Sequence, residues 1–208
     1  SAFYSIKEPI RYEGPNARSE LAFRWYNPDQ LVMGKTMREH MRFAVAYWHT
    51  LCWPGTDPFG GDTFMREWHH MSDDIAAARM NDEMAAARMK ADLMFETLEL
   101  LGIDFFCFHD LDIAPEGKSL KEFNANVTEI AKIFEKKMAA KNKKLLWGTA
   151  NMFSNRRFMA GAATNPDPDV FAYCAAQVKH CMDVTKDHDG ANYVMWGGRE
   201  GYETLVNT

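Results

Sequence analysis

The sequence has no apolar run approaching the length of a membrane span, and its N-terminus lacks the charged-then-apolar pattern of a secretory signal. It has no Cys-x-x-Cys pair. Cys52, Cys107, Cys174 and Cys181 are scattered, which gives no metal-ribbon spacing and fits reduced core cysteines in a cytoplasmic protein. It has no basic excess: 24 Lys and Arg stand against 29 Asp and Glu, a net charge of −5. That balance removes the electrostatic reason to expect nucleic acid or an anionic membrane as partner. Nor is there a Gly-x-Gly-x-x-Gly turn, which argues against a dinucleotide-binding Rossmann domain. What remains is the composition of an ordinary soluble globular protein, 47% hydrophobic and 25% charged over 208 residues. That length can bury a substantial core in one or two domains.

The most informative stretch runs from Phe105 to Gly117. Phe105-Phe106-Cys107-Phe108 is apolar without alternation, as in a strand buried on both faces of a helix-covered parallel sheet. It breaks abruptly into His109, Asp110 and Asp112, and Pro115 and Gly117 close the loop. In parallel α/β folds the chemistry sits just past the carboxyl ends of the strands. His109 and Asp112, three residues apart there, form a candidate acid/base pair in which the carboxylate fixes the imidazole's tautomer and stabilises its charged form. The competing reading is a loop histidine with no chemical task.

The rest of the chain repeats the pattern. Residues 1–40 are polar, carry Pro9, Pro15 and Pro28, and read as an N-terminal arm with a short helix over Asp29 to Met33. Residues 41–208 hold four apolar runs that predict strands near 43–48, 105–108, 145–149 and 193–197. Between them, helical spacing predicts helices over Ser72 to Leu101, Lys118 to Ala140 and about Asp167 to Lys186. The first contains a near-repeat: Asp73 to Met80 is echoed by Asp82 to Met89. The nine-residue offset is about two and a half turns, so the two copies present opposite faces. Strand, helix, strand, helix, strand, helix, strand predicts parallel βαβ units, and eight such units would close a barrel of about 250 residues. This chain holds roughly half of one, which leaves its last strand as an unpaired edge.

Four strand-end motifs carry a resemblance. They are Tyr47-Trp48-His49-Thr50 with Thr56-Asp57-Pro58-Phe59-Gly60, Phe106 through Gly117, Leu145-Leu146-Trp147-Gly148-Thr149-Ala150-Asn151, and Tyr193 through Leu205. Together, and in this order, they resemble the N-terminal half of xylose isomerase, in the longer-chain class with an extended N-terminal arm. The resemblance implies a TIM (β/α)8 barrel fold, usually a homotetramer, of which this chain is a half-barrel. It implies interconversion of xylose with xylulose, and of glucose with fructose, by a metal-assisted hydride shift between C1 and C2. Two divalent cations (Mg²⁺, Mn²⁺ or Co²⁺) serve that reaction. It implies that His109 binds the sugar and assists ring opening, with Asp112 orienting it. Trp48, Phe153 and Trp196 would wall the sugar pocket, Thr149 would stand beside it, and Phe59 would reach into a neighbouring subunit's pocket.

The Glu-Pro-Lys-Pro motif that opens the family's metal-ligand set is absent from this chain, so no metal ligand is assigned. His69 and His70 are adjacent and therefore not on one face, and His49 is isolated. Taken as a lone chain, the sequence predicts little or no isomerase activity. Two rival readings stand beside the isomerase. One is a catalytically inactive half-barrel that self-associates as a folding or assembly unit. The other is a different metal-dependent barrel enzyme, such as a sugar epimerase or an endonuclease, although no basic groove supports the latter.

Overall fold

Strand pairing in the computed structural model, which describes residues 3–61, 63–64 and 83–200, starts outside the apolar runs. Leu31–Val32 (β1) and Lys35–Thr36 (β2) pair antiparallel. The helix expected over Asp29 to Met33 is therefore replaced by a hairpin. The reason is local: Met33 and Gly34 both have positive φ, 51° and 81°, the mirror-image turn that matches strand twist and that no right-handed helix can contain. Thr36 then caps a one-turn helix, Met37–His40 (α1), by exchanging hydrogen bonds with Glu39.

Ala44–Ala46 (β3), Phe105–His109 (β4), Lys144–Thr149 (β5) and Asn192–Tyr193 (β6) form one sheet in that order, and every pairing is parallel. Parallel neighbours need crossovers, and the chain supplies Glu83–Leu101 (α2), Leu120–Lys141 (α4) and Pro168–Asp187 (α5). A further single turn, Asp110–Ile113 (α3), follows β4 directly. The first copy of the near-repeat and His69-His70 lie outside the described residues. The second copy forms the start of α2 from Glu83 onward.

Chemical signals mark the starts of α4 and α5 and the stops of α2 and α4. Ser119 accepts from the Glu122 N–H ahead of α4, and Asp167 accepts from the Asp169 N–H ahead of α5, which has Pro168 in its first turn. Gly102, at φ +63°, ends α2 while Ile103 N–H reaches back to the Leu98 carbonyl. Asn142, left-handed at φ 49°, ends α4.

The core lies between the sheet and these helices. Val45, Phe106, Phe108 and Leu145 point toward Phe95 of α2 and Phe123, Val127, Ile130 and Phe134 of α4, all of them buried. Phe134 is the hub, its ring 5.2 to 6.0 Å from those of Tyr47, Phe95, Phe106 and Phe108. Gly148 lets α5 approach β5, since a Cβ there would stand 2.4 Å from Thr185 Oγ1. On the opposite face, Cys107 and His109 are buried, so β4 is covered on both sides from Phe106 onward as the sequence predicts, but the rest of that face is more open. Among the described residues it is only half covered at Ala44, Ala46, Phe105 and Trp147.

The N-terminal arm runs along α2. Backbone N–H groups of Phe3 and Tyr4 donate to Glu96, Tyr4 OH pairs with Thr97 Oγ1, and Ile10 N–H donates to the Leu100 carbonyl. All four cysteines are free thiols. No helix among the described residues is long and apolar enough to cross a membrane.

Phe134→Ala is expected to cost about 3–5 kcal/mol in urea-monitored unfolding, because the hub of the aromatic cluster leaves a cavity. Phe59→Ala, at a side chain 98% exposed, should stay within about 0.5 kcal/mol of the parent.

Candidate functional site

The polar groups that the strands carry converge at their C-terminal ends. In β4 the register shifts between Phe106 and Cys107, whose partners in β5 are Leu145 and Trp147. This bulge re-aims the end of the pair so that His109 and Thr149 stand opposite each other. Beyond β3, the chain makes one wide turn over Trp48–Cys52, closed by Trp53 N–H on the Trp48 carbonyl. Such five-residue turns are rare and concentrate at functional sites.

His109 is 8% exposed and is held twice by one carboxylate oxygen. Its backbone N–H and its ring Nδ1 each lie 2.9 Å from Asp112 Oδ2. Asp112 accepts at both, so Nδ1 carries the hydrogen and Nε2 presents a lone pair in the neutral ring. Nε2 has no partner among the described residues. The imidazole is gripped edge-on by Trp48, at 4.6 Å between centroids, and by Phe153, at 5.5 Å. Trp147 extends the aromatic wall, 5.5 Å from Trp48. One edge of a base is thus fixed by a carboxylate, its faces are shielded by rings, and its remaining nitrogen is available for a proton.

The other expected residues are distributed unevenly. Thr149 is buried beside His109 and donates from Oγ1 to the Val194 carbonyl at 2.6 Å. Trp196 is 52% exposed and lines an apolar groove of about 430 Å³ with Met152, Phe171, Cys174, Val178 and Met195. A Cβ on Gly198 would touch both Trp196 and Phe153, so these two rings flank that glycine. Phe59 sits at the tip of a loop tied by Asp57, which accepts from the Phe59 and Gly60 N–H groups, and it makes no ring contact with His109. His49 is exposed.

Sequence reasoning passed over Asp110, Asn151 and Gln177. Asp110 is buried between the ends of β4 and β5. Its Oδ1 accepts from the Leu111 and Asn151 N–H groups, and its Oδ2 from Gln177 Nε2, which also donates to the Asn151 carbonyl. The available signal was Gln177, a polar residue on the buried stripe of α5. Burial pushes the Asp110 carboxyl up to about 6, against three hydrogen bonds that favour its charged form. Burial likewise pushes the Cys107 thiol up to about 12, so it is no nucleophile. Among the described residues no three His, Cys, Asp or Glu side chains come together as a metal-holding group.

No family model matches the chain. It is 59% identical over 208 residues to a xylose isomerase of Agrobacterium fabrum and 56% identical to one of Rhizobium etli, with all of this chain covered in both. It is 57% identical over 206 residues to a xylose isomerase of Roseobacter denitrificans, with 99% of this chain covered. In each case the match covers 45% of the relative, so the chain spans a little under half the length of the curated relatives it matches.

Asp110 makes stability depend on pH with a definite sign. Folded, it keeps its proton up to about pH 6; its ordinary value is 3.8. Between those two values the folded state binds more protons than the unfolded one, so stability falls as pH rises. In urea unfolding, the parent is expected to weaken relative to Asp110→Asn by on the order of 2–3 kcal/mol between pH 4 and pH 7. A difference between the two proteins that does not vary with pH would remove Asp110 as the cause.

Proposed function

On the premise that this chain is homologous to the xylose isomerases along its whole length, we propose that it carries the sugar-binding, proton-moving part of an aldose–ketose isomerase. The observation that supports this most strongly is the His109–Asp112 pair, 2.9 Å apart at the end of a central parallel strand and walled by Trp48 and Phe153. The wider reading follows from the same premise. Residues 41–208 are the N-terminal half of a (β/α)8 barrel, residues 1–40 an arm, and the working protein a cytoplasmic homotetramer acting on xylose and xylulose or glucose and fructose.

Hydride transfer between C1 and C2 requires an open-chain sugar, so a closed ring must first be opened. His109 Nε2 takes the proton from the anomeric hydroxyl. The O–H bonding pair becomes the second bond of the C1 carbonyl, the bond from C1 to the ring oxygen breaks, and that oxygen takes the proton back from the His109 imidazolium. Asp112 holds Nδ1–H throughout and stabilises the imidazolium that forms. Trp48 and Phe153 offer flat apolar faces to the sugar and exclude water from the reacting carbons. Thr149 is the buried polar group beside the pocket, and Trp196 completes its wall. The nearly complete exposure of Phe59 supports a role outside its own subunit, in a neighbour's pocket. The two divalent cations that the resemblance implies have no ligand set among the described residues, and no step is routed through them.

The second reading, a half-barrel that self-associates without catalysis, is favoured by one feature. Met195 and Trp196, just beyond the two-residue edge strand β6, are 69% and 52% exposed. The test separates the two. Intact mass of the purified protein is measured first, then conversion of xylose to xylulose with Mg²⁺ and again after chelation. The 208-residue chain alone is expected to give little or no turnover. In a longer polypeptide that contains it, His109→Asn should lower turnover by roughly 10²–10⁴-fold. Undiminished turnover in that variant would sink the assignment. Concentration-dependent oligomers with no sugar conversion at any length would favour the assembly unit.

A further inference from the structure

Asp112 can orient His109 only if Asp112 is itself held. It lies in α3, a single turn of four residues, too short to be stable by its own hydrogen bonds. Its backbone carbonyl, at the C-terminal end of that turn, accepts from Lys90 Nζ at 2.6 Å. The same ammonium reaches Cys52 Sγ at 3.7 Å, and Cys52 Sγ lies 3.5 Å from the same carbonyl. Lys90 belongs to α2 and Cys52 to the wide turn after β3. Three separate elements therefore meet at one carbonyl oxygen. Among the described residues Lys90 has no carboxylate within ion-pair distance, although other lysines of this helix layer, such as Lys137 and Lys141, pair with Asp92 and Glu99. Partly burying an ammonium costs free energy unless it is well hydrogen-bonded, and Lys90 directs its shortest bond at this carbonyl.

We propose that Lys90 is a positioning residue for the His109–Asp112 pair: it pins the Asp112 backbone, and so fixes the carboxylate that sets the tautomer and rotamer of His109. Lys90 touches no reacting atom in this scheme. A cation placed at the C-terminal carbonyl of α3 also opposes the partial negative charge there, which keeps the turn closed. The inference deepens the isomerase reading and rests on it for any effect on turnover, whereas its effect on the imidazole is measurable without substrate.

The experiment is nuclear magnetic resonance of the histidine ring nitrogens in the purified protein, with Lys90→Met and Lys90→Arg as variants. In the parent, neutral His109 should show a protonated Nδ1 and a bare Nε2, with slow exchange of the Nδ1 proton. In Lys90→Met that exchange should accelerate by roughly ten- to a hundredfold, the size expected for losing one hydrogen bond from a charged donor. The nitrogen shifts should move toward a mixture of tautomers, and Lys90→Arg should restore the parent signals. Where the polypeptide is active, Lys90→Met should lower kcat by roughly ten- to a hundredfold with a smaller change in KM. Parent-like nitrogen shifts and exchange in a folded Lys90→Met protein would overturn the proposal. Should that variant not fold, Lys90→Gln, whose arm is too short to keep the bond, is read by the same two outcomes. A Lys90-dependent tautomer beside a longer polypeptide, containing this chain, that converts no sugar would refute the isomerase reading and leave the positioning role standing.

Discussion

One carboxylate oxygen, Asp112 Oδ2, bonds both the backbone and the ring of His109, and the arrangement at the top of the sheet depends on it. The two bonds do different work. The one to the backbone N–H closes the first turn after the strand and caps α3, so it decides where β4 stops. The one to Nδ1 decides which ring nitrogen carries a proton. A three-residue spacing allows both because Asp112 occupies the third position of the turn that His109 caps, where an acidic side chain folds back on the cap. Had the carboxylate been one residue earlier or later, it would have pointed off the turn and reached neither group.

Beside this pair stands a second carboxylate under the opposite regime. Asp110 is buried, and its pKa is raised, yet it is supplied with three donors from three places: its own turn, the end of β5 and the face of α5. A buried carboxylate is weak evidence for stability, because desolvation can exceed what its hydrogen bonds return. Its value here is geometric. It ties the ends of β4 and β5 and the helix behind them into one body, which keeps Asn151 and, two residues on, Phe153 in register with His109. Asn151 continues the chain of contacts, since its side-chain carbonyl accepts from the Phe153 and Ser154 N–H groups. Phe153, one of the two rings beside His109, is therefore placed by a polar network whose side chains make no hydrogen bond to that histidine.

Much of this could be read from the chain. Both-faces-apolar runs located β4 and β5, and the 3.6-residue stripe of Phe123, Val127, Ile130 and Phe134 located the helix that covers them. The juxtaposition of His109 with Asp112 followed from spacing at a strand end. Three things were hidden for physical reasons. The hairpin at 31–36 turns on the positive φ of Met33, which a glycine neighbour permits but no residue pattern announces. The bulge in β5 depends on how two strands settle against a helix, so the pairing of His109 with Thr149 could not be counted from residue numbers. Gln177 and Lys90 matter through partners 67 and 22 positions away, and a single sequence carries no record of such distances. Trp196 and Phe59, by contrast, are legible as aromatic strand-end and loop residues; Trp196 flanks Gly198 together with Phe153, while Phe59 stands almost fully exposed.

The largest contrast in the molecule is between the two ends of the sheet. At the N-terminal end, the arm and α1 enclose a hollow of about 660 Å³, lined by Tyr12, Phe23, Tyr26 and Phe43 with Arg38 and Asp104. It is roomy and aromatic, features that suit a ligand. Two of its charged groups satisfy each other, however: Arg38 donates to both Asp104 oxygens, and Tyr26 packs edge-on to Phe43. Those bonds anchor the arm to the start of β4, which is a structural task. At the C-terminal end the order is reversed. The space is open, yet a ring nitrogen has no hydrogen-bond partner among the described residues, and the groups around it are arranged to hold it still. Unspent hydrogen-bonding capacity on a fixed base, rather than cavity volume, is the criterion by which the proposed isomerase reading puts its chemistry at the end of the sheet that His109 occupies.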